Sequence, residues 1–286
     1  MTKTETPRWA ALLEEAVRRP GLILEAYSRF HGYSFGNQCA ALFQCILRGI
    51  PPGPIGTVPK WNELGRSVKK GQKAIWLCMP VTVTKSRDET TTEKTPAAER
   101  DTPARPRTIF VWKPRWFVLA QTDGAEFRAE VHLPAWDKAT ALASLGIREV
   151  PFTHPDGNVQ GYARAGTVAV SPLAQLPAKT LFHELGHVLL GHVTEGATDQ
   201  VLLPKTLTEA EAEAVALCCL EALGLPGADY DRGYIQSWYG SGQPLPESSA
   251  ARIFKAADTI LRAGQQVLTA SLPTVPESAA ASAVVA

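Results

Sequence analysis

The sequence predicts an α+β protein built as two domains, and three observations carry that prediction. The chain has 286 residues, about twice the ~150 expected of one domain. Helical and strand-like apolar patterns both occur along it. Charge divides it: residues 1–120 hold 19 Lys/Arg against 10 Asp/Glu and the remainder 10 against 18, giving +9 and −8. A basic half joined to an acidic half suggests two tasks, and the basic one points to nucleic acid.

The elements follow in order. Leu12, Leu13, Val17, Leu24 and Tyr27 recur at helical spacing, broken at Pro20-Gly21, which predicts two short helices between Trp9 and Ser28. Asn37 to Ile50 gives a third helix. The runs Lys73–Thr84 and Thr108–Gln121 are rich in β-formers and pair as a hairpin. Their connector, 85–107, is dense in Thr, Glu, Lys, Arg and Pro without an apolar face, so a mobile loop is expected. Composition changes near Thr122-Asp-Gly124, the expected boundary between domains 1–124 and 125–269. Beyond it, helices are predicted at Pro134–Leu145, Pro177–Leu190, Thr208–Leu223 and Ser248–Leu268, with a short strand at Val168–Ser171. Residues 270–286, mostly Ala, Ser, Pro and Val, read as a disordered tail.

Several classes are excluded at this level. No apolar run approaches the ~18 residues of a membrane span, and the polar start of the chain lacks a secretory pattern, so a cytoplasmic protein without a membrane partner is expected. The five cysteines, Cys39, Cys45, Cys78, Cys218 and Cys219, form no Cys-x-x-Cys pair. They read as reduced thiols rather than disulfides or zinc ligands.

The segment from Thr180 to His192 contains His183-Glu184-Leu-Gly-His187 inside an apolar helix with Pro177 at its start. At 100° per residue His187 lies about 40° from His183, so both imidazoles can share one metal ion. Glu184 sits beside them, placed as a general base toward water that the ion polarises. With 6 His in 286 residues, random placement gives about 0.008 such motifs. His192 falls about 180° from His183 on the same wheel, which suggests the surface or an outer partner.

The third ligand is expected from the next helix. Glu209 and Glu213 flank its apolar stripe, whereas Glu211 faces away. A carboxylate on an apolar face suits metal ligation or support of a His ring nitrogen, so Glu209 reads as ligand and Glu213 as supporting residue or alternative ligand. Capping boxes from Thr206 to Glu209 or Thr208 to Glu211 also fit the spacing. Two imidazoles, one carboxylate and an open position favour zinc, with manganese or another divalent ion as alternatives.

In the basic half, Lys60, Arg66, Lys69, Lys70 and Lys73 surround Trp61, a mixture suited to phosphate neutralisation and base stacking. A solvated basic turn around a core Trp fits as well.

The chain resembles ArdC-type antirestriction proteins, which pair a single-stranded-DNA-binding domain with a zincin-like metallopeptidase domain. The resemblance rests on Tyr33-Ser-Phe-Gly-Asn37-Gln38, on the run from Trp61 to Ala74, on Gly166 to Ala174, and on the two helices just described. It implies an N-terminal α+β DNA-binding domain followed by a gluzincin-type metallopeptidase domain. It further implies His183, His187 and Glu209 on the metal with Glu184 catalytic, an unknown protein substrate, and single-stranded DNA on the N-terminal residues, Tyr33 and Asn37 included. Two alternatives stay open: a DNA-protection module with a structural metal, and a regulatory protease that cleaves a transcription factor.

Overall fold

The computed structural model describes residues 6–30, 32–83, 107–127, 135–193, 204–240 and 245–265. Of the expected mobile loop, Arg107 opens a strand and 85–106 lie outside the described residues, as does the expected tail 270–286. No described helix is long and apolar enough to cross a membrane.

Helices α1 (Trp9–Arg18) and α2 (Leu22–Phe30) break at Pro20-Gly21, where Gly21 takes φ 85°. Helix α3 (Phe35–Arg48) ends on left-handed Gly49, and the Ile50 amide donates back to the Cys45 carbonyl. A hairpin of β3 (Ile75–Val83) and β4 (Arg107–Val118) follows, and β1 (Ile55–Thr57) joins the other edge of β4. Helix α4 (Val58–Glu63) leads into β2 (Arg66–Val68), which pairs antiparallel with β5 (Thr122–Gly124).

The second half begins with α5 (Lys138–Leu145), shorter than expected and capped by Asp137, whose carboxylate accepts from the Thr140 amide. A small sheet of β6 (Arg148–Glu149), β7 (Gly161–Arg164) and β8 (Thr167–Val170) has the order β6-β8-β7. Beside it lie α6 (Pro177–Leu190), α7 (Lys205–Ala222), α8 (Ala228–Gly240) and α9 (Glu247–Ala263).

One expectation changes here and one helix is new. Helix α7 is buried on every side from Ala210 to Ala222 apart from Glu213, not on one stripe, because α2, α6, α8 and α9 all pack against it. Helix α8 was not legible at all. Its sequence carries two Gly and several aromatic residues without a regular apolar repeat, and its position comes from packing on α7.

Position 124 divides the sequence but not the packing, since one buried cluster includes α1–α3 together with α6, α7 and α9. Carboxylates of the acidic half also finish the helices of the basic half. Glu247 accepts from the Trp9 and Ala10 amides, Glu221 from Ile23 and Asp258 from Phe35. These amides are first-turn donors with no partner inside their own helices. Buried Arg232 closes the seam by donating to Glu221 and to the Ala16 and Val17 carbonyls.

Candidate metal centre

Helices α6 and α7 bring three electron-pair donors to one point. His187 Nε2 lies 3.0 Å from His183 Nε2, and Glu209 Oε2 lies 3.4 Å and 3.6 Å from those two nitrogens. Donors at ~2.0–2.1 Å on a tetrahedral ion stand about 3.3 Å apart, so the spacing fits a small divalent cation. A proton can bridge one pair of these atoms but not all three. Among the described residues, these three form the group of His, Cys, Asp and Glu side chains close enough to hold a metal.

The sequence dictates this convergence through three local features. Pro177 starts α6 where a missing amide hydrogen costs nothing. The i, i+4 spacing then puts both imidazoles on one face. Between them Gly186 leaves room for α7: a Cβ there would stand 3.2 Å from Ala212 Cα and 3.3 Å from Val215 Cβ. The capping alternatives for Glu209 and Glu211 do not form, since α7 has no side-chain cap and Thr208 donates to the Lys205 carbonyl.

The two histidines are supported differently. His183 Nδ1 is 3.4 Å from Glu213 Oε1, outside good hydrogen-bond alignment. Glu213 therefore faces the outer nitrogen rather than the ligand side, and its carboxylate accepts from Lys179 Nζ at 3.0 Å. Lys179 Nζ is also 2.8 Å from Oδ1 of fully buried Asp231. His187 Nδ1 instead meets His192 Nδ1 at 2.9 Å, and His192 Nε2 meets Glu211 Oε2 at 2.8 Å. His192 is thus an outer partner, and Glu211, expected to face away, is 0% exposed. Of the two places expected for His192, the surface and an outer partner, it takes the second, and it comes closer to His187 than a continued helix would bring it because α6 ends at Leu190: Gly191 adopts φ 74° and the His192 amide returns to the His187 carbonyl at 2.9 Å.

Charge at the site is graded by environment. Contacts with His183 and then His187 hold the Glu209 carboxyl well below the ordinary carboxylate range. Burial raises Glu184, against the opposing pull of His183 and His187. Glu184 also borders a cavity of about 560 Å³ that reaches Val159, Gly161, Lys179, Thr180 and Tyr230. The strand beside this cavity is the edge strand β7, while β8 lies in the middle of its sheet. A Cβ on Gly161 would stand 2.5 Å from Thr180 Cγ2 and 3.0 Å from Glu184 Oε1, so only glycine lets β7 lie this close to α6.

Residues 7–112 match the family model for the N-terminal domain of anti-restriction factor ArdC. Two solved structures share the fold of nearly the whole chain. One is the metal-free antirestriction ArdC protein from the R388 plasmid, with TM-score 0.51 and 21% identity over 90% of this chain and 97% of that one. The other is the Mn(II)-bound structure of the same plasmid protein, with TM-score 0.51 and 20% identity over 91% and 98%. Residues 7–112 are thus similar in sequence to the ArdC N-terminal domain, and the chain as a whole shares the fold of the two ArdC structures. No curated protein matches it.

Within the ArdC-type N-terminal domain, most expected nucleic-acid residues hold the fold together. Trp61 is 2% exposed, donates from Nε1 to the Phe117 carbonyl and meets Phe127 edge-on. It cannot stack on a base in this position. Asn37 clasps the Cys78 peptide in both directions at 2.8 Å, and Tyr33 donates to the Ile55 carbonyl. Gln44, which the sequence did not single out, clasps the Trp76 peptide the same way. Arg66 binds Thr122 and the Gly124 and Ala125 carbonyls, Lys60 pairs with Glu63, and Lys69 donates to Ala120 and lies 3.4 Å from Asp123. Lys70 and Lys73 are exposed. Lys73 lines a groove of about 480 Å³ with Gln72, Gln121 and Arg48, the last residue of α3.

Proposed function

We propose that this ArdC-type chain is a metal-dependent peptidase of the zincin class joined to a single-stranded-DNA-binding domain, acting in protection of DNA from restriction. The observation that carries the peptidase reading is the placement of Glu184. It is a buried carboxylate beside three converging donors, lining a cavity next to the edge strand β7. A site that only held metal has no need of such a base.

His183, His187 and Glu209 would hold the ion, with zinc favoured by two imidazoles and a carboxylate and manganese supported by the Mn(II)-bound relative. A divalent ion supplies Lewis-acid polarisation of a carbonyl and lowers the pKa of water. The protein does the rest. The Ser171 amide donates to the Gln160 carbonyl at 2.7 Å, which marks that pair as hydrogen-bonded. Alternation along the antiparallel register then turns the N–H and C=O of Gly161 and Ala163 to the outer edge of β7. An extended peptide adding there would be aligned past Glu184. Glu184 takes the proton from the attacking water and can return it to the departing amine.

Hydrolysis of a quenched peptide library by the metal-loaded chain and by Glu184→Gln tests this reading. Cleavage by the wild type and none by a variant that still holds metal supports it. No cleavage by either would favour a second reading, a DNA-protection module with a structural metal, and equal cleavage by both would contradict the role of Glu184.

The DNA reading rests on the +9 charge of residues 1–120 and on exposed Lys70 and Lys73 beside the Arg48 groove. It no longer draws on Trp61.

A further inference from the structure

We infer that His192 and Glu211 are positioning residues for the metal, forming with His187 a buried relay that fixes which ring nitrogen of His187 carries the proton. This inference rests on the metal-centre reading above.

The geometry admits one consistent arrangement of protons. To offer a lone pair at Nε2, His187 must carry its proton on Nδ1. That proton points at His192 Nδ1, 2.9 Å away, which must then accept. His192 is left with its proton on Nε2, 2.8 Å from Glu211 Oε2, and the carboxylate accepts it. Arg252, 3.8 Å from Glu211 Oε1, faces the far side of the carboxylate and donates to the Leu190 carbonyl that ends α6. Every donor along this path finds an acceptor, whereas the other tautomer of His192 would set its Nδ1–H against that of His187 and its bare Nε2 against the Glu211 carboxylate.

Burial makes the arrangement consequential. The His192 and Glu211 side chains are 5% and 0% exposed, so water does not replace a lost partner. An unpaired carboxylate inside α7 would be costly, and a partnerless imidazole would be free to rotate or change tautomer. The backbone enforces the contact: left-handed Gly191 turns the chain so that His192 returns over the helix it has just left. Glu211 shares α7 with Glu209, so the same helix supplies one candidate ligand directly and braces another through a relay. Among the described residues His183, with Glu213 at 3.4 Å and out of alignment, has no equivalent brace.

The test is the Zn²⁺ dissociation constant of the full-length chain, measured against a competing chelator, together with the visible spectrum of the Co²⁺-loaded protein. His192→Phe should weaken Zn²⁺ binding about 10- to 100-fold, the usual effect of losing an outer-shell partner. His192→Gln, whose amide can accept from His187 and donate to Glu211, should recover most of the affinity and the wild-type spectrum. Adding Glu211→Gln to His192→Phe should cost little more, because Glu211 acts through His192. One-to-one binding by the wild type with unchanged affinity and spectrum in His192→Phe would overturn the relay and leave the metal centre standing. Equal losses in the Phe and Gln variants, additive with Glu211→Gln, would also overturn it by reducing the pair to packing. No binding by the wild type would overturn both readings together.

Discussion

Gly186 and Ala212 face each other where α6 crosses α7, so closely that a Cβ on Gly186 would stand 3.2 Å from the Ala212 Cα. This contact sets the distance between the helix of His183 and His187 and the helix of Glu209. Gly186→Leu should force the helices apart, at a cost of about 1–3 kcal/mol for overpacking, and weaken metal binding more than stability. Urea unfolding and Zn²⁺ titration on the same variant check both parts. A variant with wild-type affinity would show that the crossing does not govern the site.

Asp231 makes a pH prediction. Burial first and the neighbouring Glu213 second push its carboxyl up to about 9, against the pull of Lys179. The folded-state pKa then exceeds the ordinary value of 3.8, so this group's contribution to stability is full below that value and is lost as pH rises toward about 9. Asp231→Asn keeps the neutral shape and removes the titration. In chelated protein, its stability relative to wild type should rise between pH 5 and pH 8, by up to about 1.4 kcal/mol per pH unit. Urea unfolding at the two pH values measures this, and a constant difference would mean Asp231 is already ionised at pH 5.

The nucleic-acid surface should depend on fewer cations than the sequence suggests. Arg66, Lys60 and Lys69 already have partners, leaving Lys70 and Lys73 most available. With ~0.7 per contact on single strands, Lys70→Ala with Lys73→Ala should flatten the slope of log K against log salt by about 1.4 in the full-length chain. Fluorescence anisotropy with an oligonucleotide of mixed sequence measures it. An unchanged slope would move the DNA surface elsewhere on the basic half.

Much of this was legible where a local pattern decides the structure. The Pro20-Gly21 break, the β3–β4 hairpin, Pro177 and the i, i+4 histidines all act within a few residues, and the structure follows them. The misreadings share a cause in tertiary context. Trp61 carries basic neighbours in sequence, yet its ring is claimed by Phe117 and Phe127. Glu211 was placed outside by a one-stripe view of α7, a helix enclosed on all sides. His192 was read as an outer partner or surface residue and is the former, but its angle came from extending a helix that Gly191 had already ended. That glycine, a common helix stop, was the available signal.

Metal content of the purified full-length chain, by elemental analysis, tests the central claim most directly. We expect one divalent ion per chain in the wild type and in Glu184→Gln, and loss of the ion in His187→Ala and Glu209→Ala. Retention of the ion in Glu209→Ala with loss in Glu213→Ala would contradict the ligand set. Undiminished metal in His187→Ala would contradict the centre altogether.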